Sequence, residues 1–177
     1  MPDRLPTSEG TDPTGSRSEY LVFEVAGQRF ALDLPVVQEL ARAVSVVPLP
    51  RAPAVVEGVI DVRGTLVPVL DLRGRFGLPA SPLRPSDHLV LAHAGDRLVA
   101  LRCDRADGIV SLPPGQVEDA RRAVPGAGYV AGVVRLPDGL VLVHDLCTFL
   151  SEAEGVALDG SIAAARARHA GTPEGTA

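Results

Sequence analysis

The chain repeats itself, and this repetition constrains its fold more than any single motif does. Gly58 to Leu72, GVIDVRGTLVPVLDL, lies without a gap over Gly132 to Leu146, GVVRLPDGLVLVHDL, and seven of the fifteen positions are identical. A second pair sits upstream. Tyr20 to Leu34, YLVFEVAGQRFALDL, matches His88 to Arg102, HLVLAHAGDRLVALR, in the Leu-Val of the first arm and the Ala-Gly-x-Arg of the bend. A short echo, VPLP at Val47 to Pro50 and VSLP at Val110 to Pro113, falls between the members of each half. Three matches in one order point to a duplicated set of hairpins.

Each matched unit reads as two apolar arms around a turn. Ala26-Gly27-Gln28 and Ala94-Gly95-Asp96 bend the first pair; Arg63-Gly64-Thr65 and Pro137-Asp138-Gly139 bend the second. Short arms, frequent turns and few helical patterns predict an all-β chain of about five strands per half, and closing each half into a small barrel removes exposed edges. The expected boundaries are a mobile tail over 1–18, an ordered body over 19–153 with halves of about 19–86 and 87–153 that can exchange strands, and a flexible tail over 154–177. Gly58 and Gly132 open the repeated unit and are read as structural positions. Asp71 and Asp145 precede short helical segments as N-caps, and Pro68 is assigned to an edge strand or a bulge. Two further short helices are expected, over Pro35 to Arg42 with Val36, Val37 and Leu40 as its apolar positions, and over Ser161 to His169 with Ser161 as cap.

Composition excludes several functions. The formal charge is −5, from 17 basic and 22 acidic side chains, which argues against nucleic acid and against a polybasic membrane anchor. Every basic residue is Arg; the absence of Lys and Asn fits a GC-rich coding bias, and without Lys there is no Schiff-base chemistry and no Walker-type loop. His88 and His93, five apart on a strand-turn unit, point to opposite faces, so no metal site is expected, and GAGYVAG at Gly126 to Gly132 has the wrong glycine spacing for a dinucleotide loop, so no cofactor is expected. There is no GxSxG, and Asp61 with Asp71 reads better as a turn and a cap than as an acid-base pair. Cys103 and Cys147 are expected to be buried, inert thiols. The polar opening and the lack of a long apolar run predict a cytoplasmic protein with no inserted segment.

The strings YLVFEVAGQRFALDL, VVQEL and VPLPRAPAVVEGVIDVRGTLVPVLDLRGRFGL, with the closing YVAGVVRLPDGLVLVHDLCTFL, resemble the CheW family of bacterial chemotaxis adaptors over about Tyr20 to Leu150. The family usually carries Asn where this chain has Asp61. The resemblance implies two small five-stranded, SH3-like β-barrels packed together with a few short helices. It also implies no catalysis: the family couples the cytoplasmic helical tips of chemoreceptors to the regulatory domain of a CheA-type histidine kinase, which would draw the chain to receptor arrays. Positions matching Val37 and Glu39 then belong to receptor contact, and Arg63, with Gly64 beside it in the turn, to coupling. An exposed Val next to Glu39 is the expected contact patch. The alternatives are an adaptor of a motility or regulatory kinase pathway outside chemotaxis, and a small-ligand-binding β-barrel, which would need a deep polar pocket.

Overall fold

A computed structural model describes residues 17–120 and 128–170, so the expected tail over 1–18 falls almost wholly outside the described residues. Eleven strands follow in chain order: β1 (Ser18–Val25), β2 (Gln28–Asp33), β3 (Val37–Arg42), β4 (Val56–Val62), β5 (Thr65–Leu70), β6 (His88–Ala94), β7 (Arg97–Cys103), β8 (Arg105–Leu112), β9 (Val117–Asp119), β10 (Val130–Leu136) and β11 (Gly139–His144). Two helices, α1 (Leu72–Phe76) and α2 (Glu152–Ala170), and two 3-10 turns at Leu34–Val36 and Leu146–Thr148 complete the described elements.

The strands form two sheets with matching orders. One runs β8-β1-β2-β11-β10-β9, the other β3-β6-β7-β5-β4. Under the repeat, β1 and β2 correspond to β6 and β7, β3 to β8, and β4 and β5 to β10 and β11. Each sheet therefore takes its first hairpin from one copy and its remaining strands from the other. The exchanged hairpins join their hosts through short parallel ladders, Phe30 and Ala31 beside Leu142 and Val143, and Ala100 and Leu101 beside Val69 and Leu70.

Exchange explains the composition of those hairpins. In β1, Tyr20 and Val22 pack with Val134, Val141 and Val143 inside one sheet, whereas Leu21, Phe23 and Val25 enter a core shared by both sheets. In β6, Leu89 and Leu91 line the other sheet while Val90 and Ala92 face the shared core. Strands buried on both faces lose the polar alternation of a one-sided sheet, hence the near-continuous apolar runs at Tyr20 to Val25 and His88 to Ala92.

Each sheet rolls because its two edges are one continuous stretch of chain. Beyond β3, Ala43 donates to the Asp87 carbonyl, and Val47 then exchanges hydrogen bonds of 2.9 and 2.8 Å with Val59 of β4 at the opposite edge. In the other copy β9 does the same, with Glu118 opposite Val133 of β10. The structural counterpart of Val47 is thus Glu118. The VSLP echo instead ends β8, where Val110 and Leu112 lie opposite Tyr20 and Ser18 of β1, so that third sequence match is not a structural equivalence.

Three local expectations are corrected. Pro35 to Arg42 is a 3-10 turn followed by strand β3, because pairing with β6 outweighs a helical spacing that the alternating pattern fits equally well. Pro68 lies on an interior strand and is buried. It is tolerated there because it sits opposite Val59 at a position whose missing N–H points toward β7, one residue before that parallel ladder begins. Finally, the segment expected to be a polar tail from 154, with a helix only from Ser161, is one helix through Ala170. Ser151 and Glu154 start it with a reciprocal capping box, Ser151 N–H to Glu154 Oε2 at 2.8 Å and Glu154 N–H to Ser151 Oγ at 3.2 Å. Leu158 and Ile162 seat it on the shared core. Arg75 of α1 locks it in place, paired with Glu154 at 2.7 Å and stacked on Phe149.

Candidate interaction surface

The β4–β5 hairpin closes in two residues, Arg63 at φ +52° and Gly64 at φ +82°, both positive as a type I′ turn requires. Asp61 supports the bend by accepting the Gly64 amide at 2.7 Å on Oδ1. An Asn oxygen would accept the same bond, so the departure from the family residue at this position leaves the turn chemistry unchanged. The turn projects Arg63 outward, its side chain 81% exposed, and its guanidinium lies 3.6 Å from the Glu39 carboxylate of β3. Rolling of the sheet, not sequence proximity, brings these two residues together with Gly64 beside them.

Val37 behaves differently. It is half-buried against the shared core, as is Val36. On a strand the alternation turns Gln38, Leu40 and Arg42 outward instead, and Leu40 is 43% exposed. Val44 and Val47, on the extended stretch that closes the sheet, are exposed as well. The outward aliphatic residues next to Glu39 are therefore not the expected valine. A strict period-two reading of Val37 to Arg42 would have identified Leu40.

The structural positions have clear physical roles. A Cβ on Gly58 would stand 2.2 Å from the Val47 carbonyl oxygen, and one on Gly132 would stand 2.8 Å from that of Glu118. Both glycines lie where the closing stretch crosses the sheet, and in both copies any side chain would hold the crossing strand off. Asp71 Oδ1 accepts the Gly74 amide at 3.0 Å at the start of α1, and Asp145 Oδ1 accepts the Cys147 amide at 3.0 Å. Cys147 is exposed, contrary to the expectation of two buried thiols, because it lies on a 3-10 turn and not on a packed helix face. Cys103 is buried, and burial first, then the nearby carboxylates, push its thiol up to about 12.

Charged side chains between the sheets are already paired. Arg73 of α1 donates to Asp104 and to the Pro79 carbonyl, and Asp104 also accepts the Ala26 amide at 2.7 Å from the β1–β2 turn. Burial opposes ionisation of Asp104, but the Ala26 amide and the Arg73 guanidinium outweigh it and hold the carboxyl below its usual range. Arg102 reaches Glu57 at 3.0 Å and the Ser81 carbonyl at 2.8 Å, while burial still keeps the Glu57 carboxyl above its ordinary value. A cavity of about 390 Å³ between these groups is lined by Glu57, Asp71, Arg73 and Arg102, all committed to protein partners. It offers no convergent free polar groups to a small ligand. Among the described residues no three His, Cys, Asp or Glu side chains gather as a metal site would require, and no helix is long and apolar enough to cross a membrane.

Comparison with known proteins covers this whole body. Residues 19–154 match the family model described as CheW-like domain. The chemotaxis protein CheW of Treponema pallidum is 26% identical over 142 residues, spanning 77% of this chain and 84% of that protein. Protein PilI of Pseudomonas aeruginosa is 31% identical over 91 residues, 51% of each chain. The crystal structure of the scaffolding protein TtCheW from Thermoanaerobacter tengcongensis superimposes with a TM-score of 0.70 at 22% identity, covering 75% of this chain and 92% of that one; at that identity the likeness concerns the fold.

Proposed function

The chain belongs to the CheW-like domain family, and on that basis we propose that it is a chemotaxis adaptor, a non-enzymatic scaffold that couples chemoreceptor helical tips to the regulatory domain of a CheA-type histidine kinase at receptor arrays. The observation that supports the reading best is the meeting of Glu39 and Arg63 on an exposed edge. A guanidinium on a rigid two-residue turn, only loosely paired at 3.6 Å, can exchange its carboxylate for one on a partner with little loss. On the same strand Leu40 projects from the opposite face and leaves an exposed aliphatic side chain there. Val37 supports the surface from beneath, by seating β3 on the core.

Arg63→Glu tests the assignment. The side chain is largely in solvent, so the variant is expected to melt with the native chain. It should bind the kinase regulatory domain at least about tenfold more weakly by titration calorimetry and lose receptor control of kinase activity, while Arg63→Lys retains part of both. Normal coupling by Arg63→Glu would remove Arg63 from the surface. A second reading is an adaptor of a histidine-kinase pathway outside chemotaxis. It predicts tighter binding to a kinase of that other pathway from the same cell than to its chemotaxis kinase.

A further inference from the structure

A groove of about 730 Å³ lies between the β4–β5 hairpin and the last turns of α2. Its aliphatic lining includes Val47, Leu49, Val59 and Leu66, and Val47 is 60% exposed. The facing wall is cationic. Arg166, Arg168 and His169 line it, all exposed, and among the described residues none of them has a carboxylate partner. Among the described residues the single acid in the lining, Asp61, already holds the Gly64 amide. This is unusual for a chain whose acids outnumber its bases, 22 to 17.

The repeat supplies an internal control. The equivalent groove on the other sheet has the corresponding floor, Ala120, Val133 and Leu140, but among the described residues its charged residues are Glu118, Asp119 and Arg135, and α2 contributes nothing to it. The two grooves share a backbone plan and, among the described residues, differ in charge. The cationic wall is also held in place, because α2 is anchored by Leu158 and Ile162 in the core and by the Asp159–Arg97 pair at 2.7 Å.

We propose that this groove docks an acidic amphipathic segment of a partner protein, with aliphatic side chains on Val47 and Leu66 and carboxylates toward Arg166 and Arg168. The proposal rests on the adaptor reading and adds a specificity-determining wall outside the Glu39–Arg63 pair. A protein segment fits better than an anionic bilayer, since a flat surface resting on the arginines would leave the aliphatic floor uncovered.

The test uses the full chain and two labelled Ala-rich helical peptides with the same Leu stripe, one carrying Glu and the other Lys on the flanks, followed by fluorescence anisotropy. The Glu peptide is expected to bind one per chain, at least about tenfold tighter than the Lys peptide, with an advantage that shrinks as salt rises. The double variant Arg166→Glu/Arg168→Glu should abolish the advantage without altering the melting curve, and Val47→Ser should weaken the Glu peptide. Equal binding of both peptides, undiminished binding by the double variant, or capture by phosphatidylglycerol vesicles without peptide binding would each overturn the proposal. Peptide failure with Arg63-dependent kinase coupling intact rejects the groove and leaves the adaptor standing; peptide binding without that coupling does the reverse.

Discussion

His144 shows how one side chain can carry a pH dependence. It ends β11 against Phe76 and Phe149, at ring distances of 5.5 and 5.3 Å. Burial lowers its pKa from 6.5 to about 4, against the opposing pull of Asp145. The unfolded chain therefore takes up this proton near pH 6.5 and the folded chain only near 4. Stability present above 6.5 is lost as pH falls toward 4, by up to about 3 kcal/mol, and this contribution is constant below that. The repeat places Leu70, fully buried, at the same position in the other copy. His144→Leu should accordingly flatten the dependence, measured as urea unfolding between about pH 7 and pH 4; equal slopes in both proteins would contradict the assignment. At this scale the turns and caps were legible. The Arg63-Gly64 turn follows from its alignment with Pro137-Asp138-Gly139 in the other copy, and Asp71 and Asp145 from their cap chemistry. Leu40 was not, because Val36, Val37 and Leu40 satisfy a helical spacing while Val37, Glu39 and Ala41 satisfy an extended one, and only β6 decides between them.

The turn signals specified the hairpins, but strand neighbours and α2 depended on partners far away in the chain. Pro68 reads as an edge residue until the start of the β5–β7 ladder is known to lie one residue further on. The α2 helix contains Gly155 and Gly160, which argue against a helix on propensity. The Ser151-x-x-Glu154 box was visible in the sequence and is the signal that should have extended it. Closure of each sheet depends on a glycine under a crossing strand, so Gly58→Ala should cost about 1–3 kcal/mol by forcing Val47 away from Val59. Guanidinium unfolding gives the magnitude. Faster amide exchange at Val47 and Val59, with the Glu118–Val133 crossing unchanged, would localise the damage; a uniform loss would show that the closure is not a separate unit.

At the scale of the molecule, duplication made two similar halves predictable, and hairpin exchange set which strands each one contains. The consequence can be measured. A fragment ending at residue 86 keeps β1 and β2 but lacks β8, β10 and β11, which cover one of their faces, and β6 and β7, which complete the shared core on the other. Phe23, Phe30 and Leu32 would each forgo part of the roughly 1.5–3 kcal/mol that full burial contributes. Fragments 1–86 and 87–177 should each be unfolded alone by amide dispersion and recover native dispersion when mixed; an independently folded 1–86 would contradict the exchange.

Exchange also governs how the protein responds to load. Two barrels tethered by a linker could swivel, and a displacement imposed on one by a bound neighbour would dissipate in the hinge. Here backbone ladders run from each copy into the other's sheet, and Asp104 clamps the Ala26 turn to Arg73 across the seam. A push on the Arg63 corner is then borne by the entire body, which behaves as a stiff strut between whatever grips its two ends.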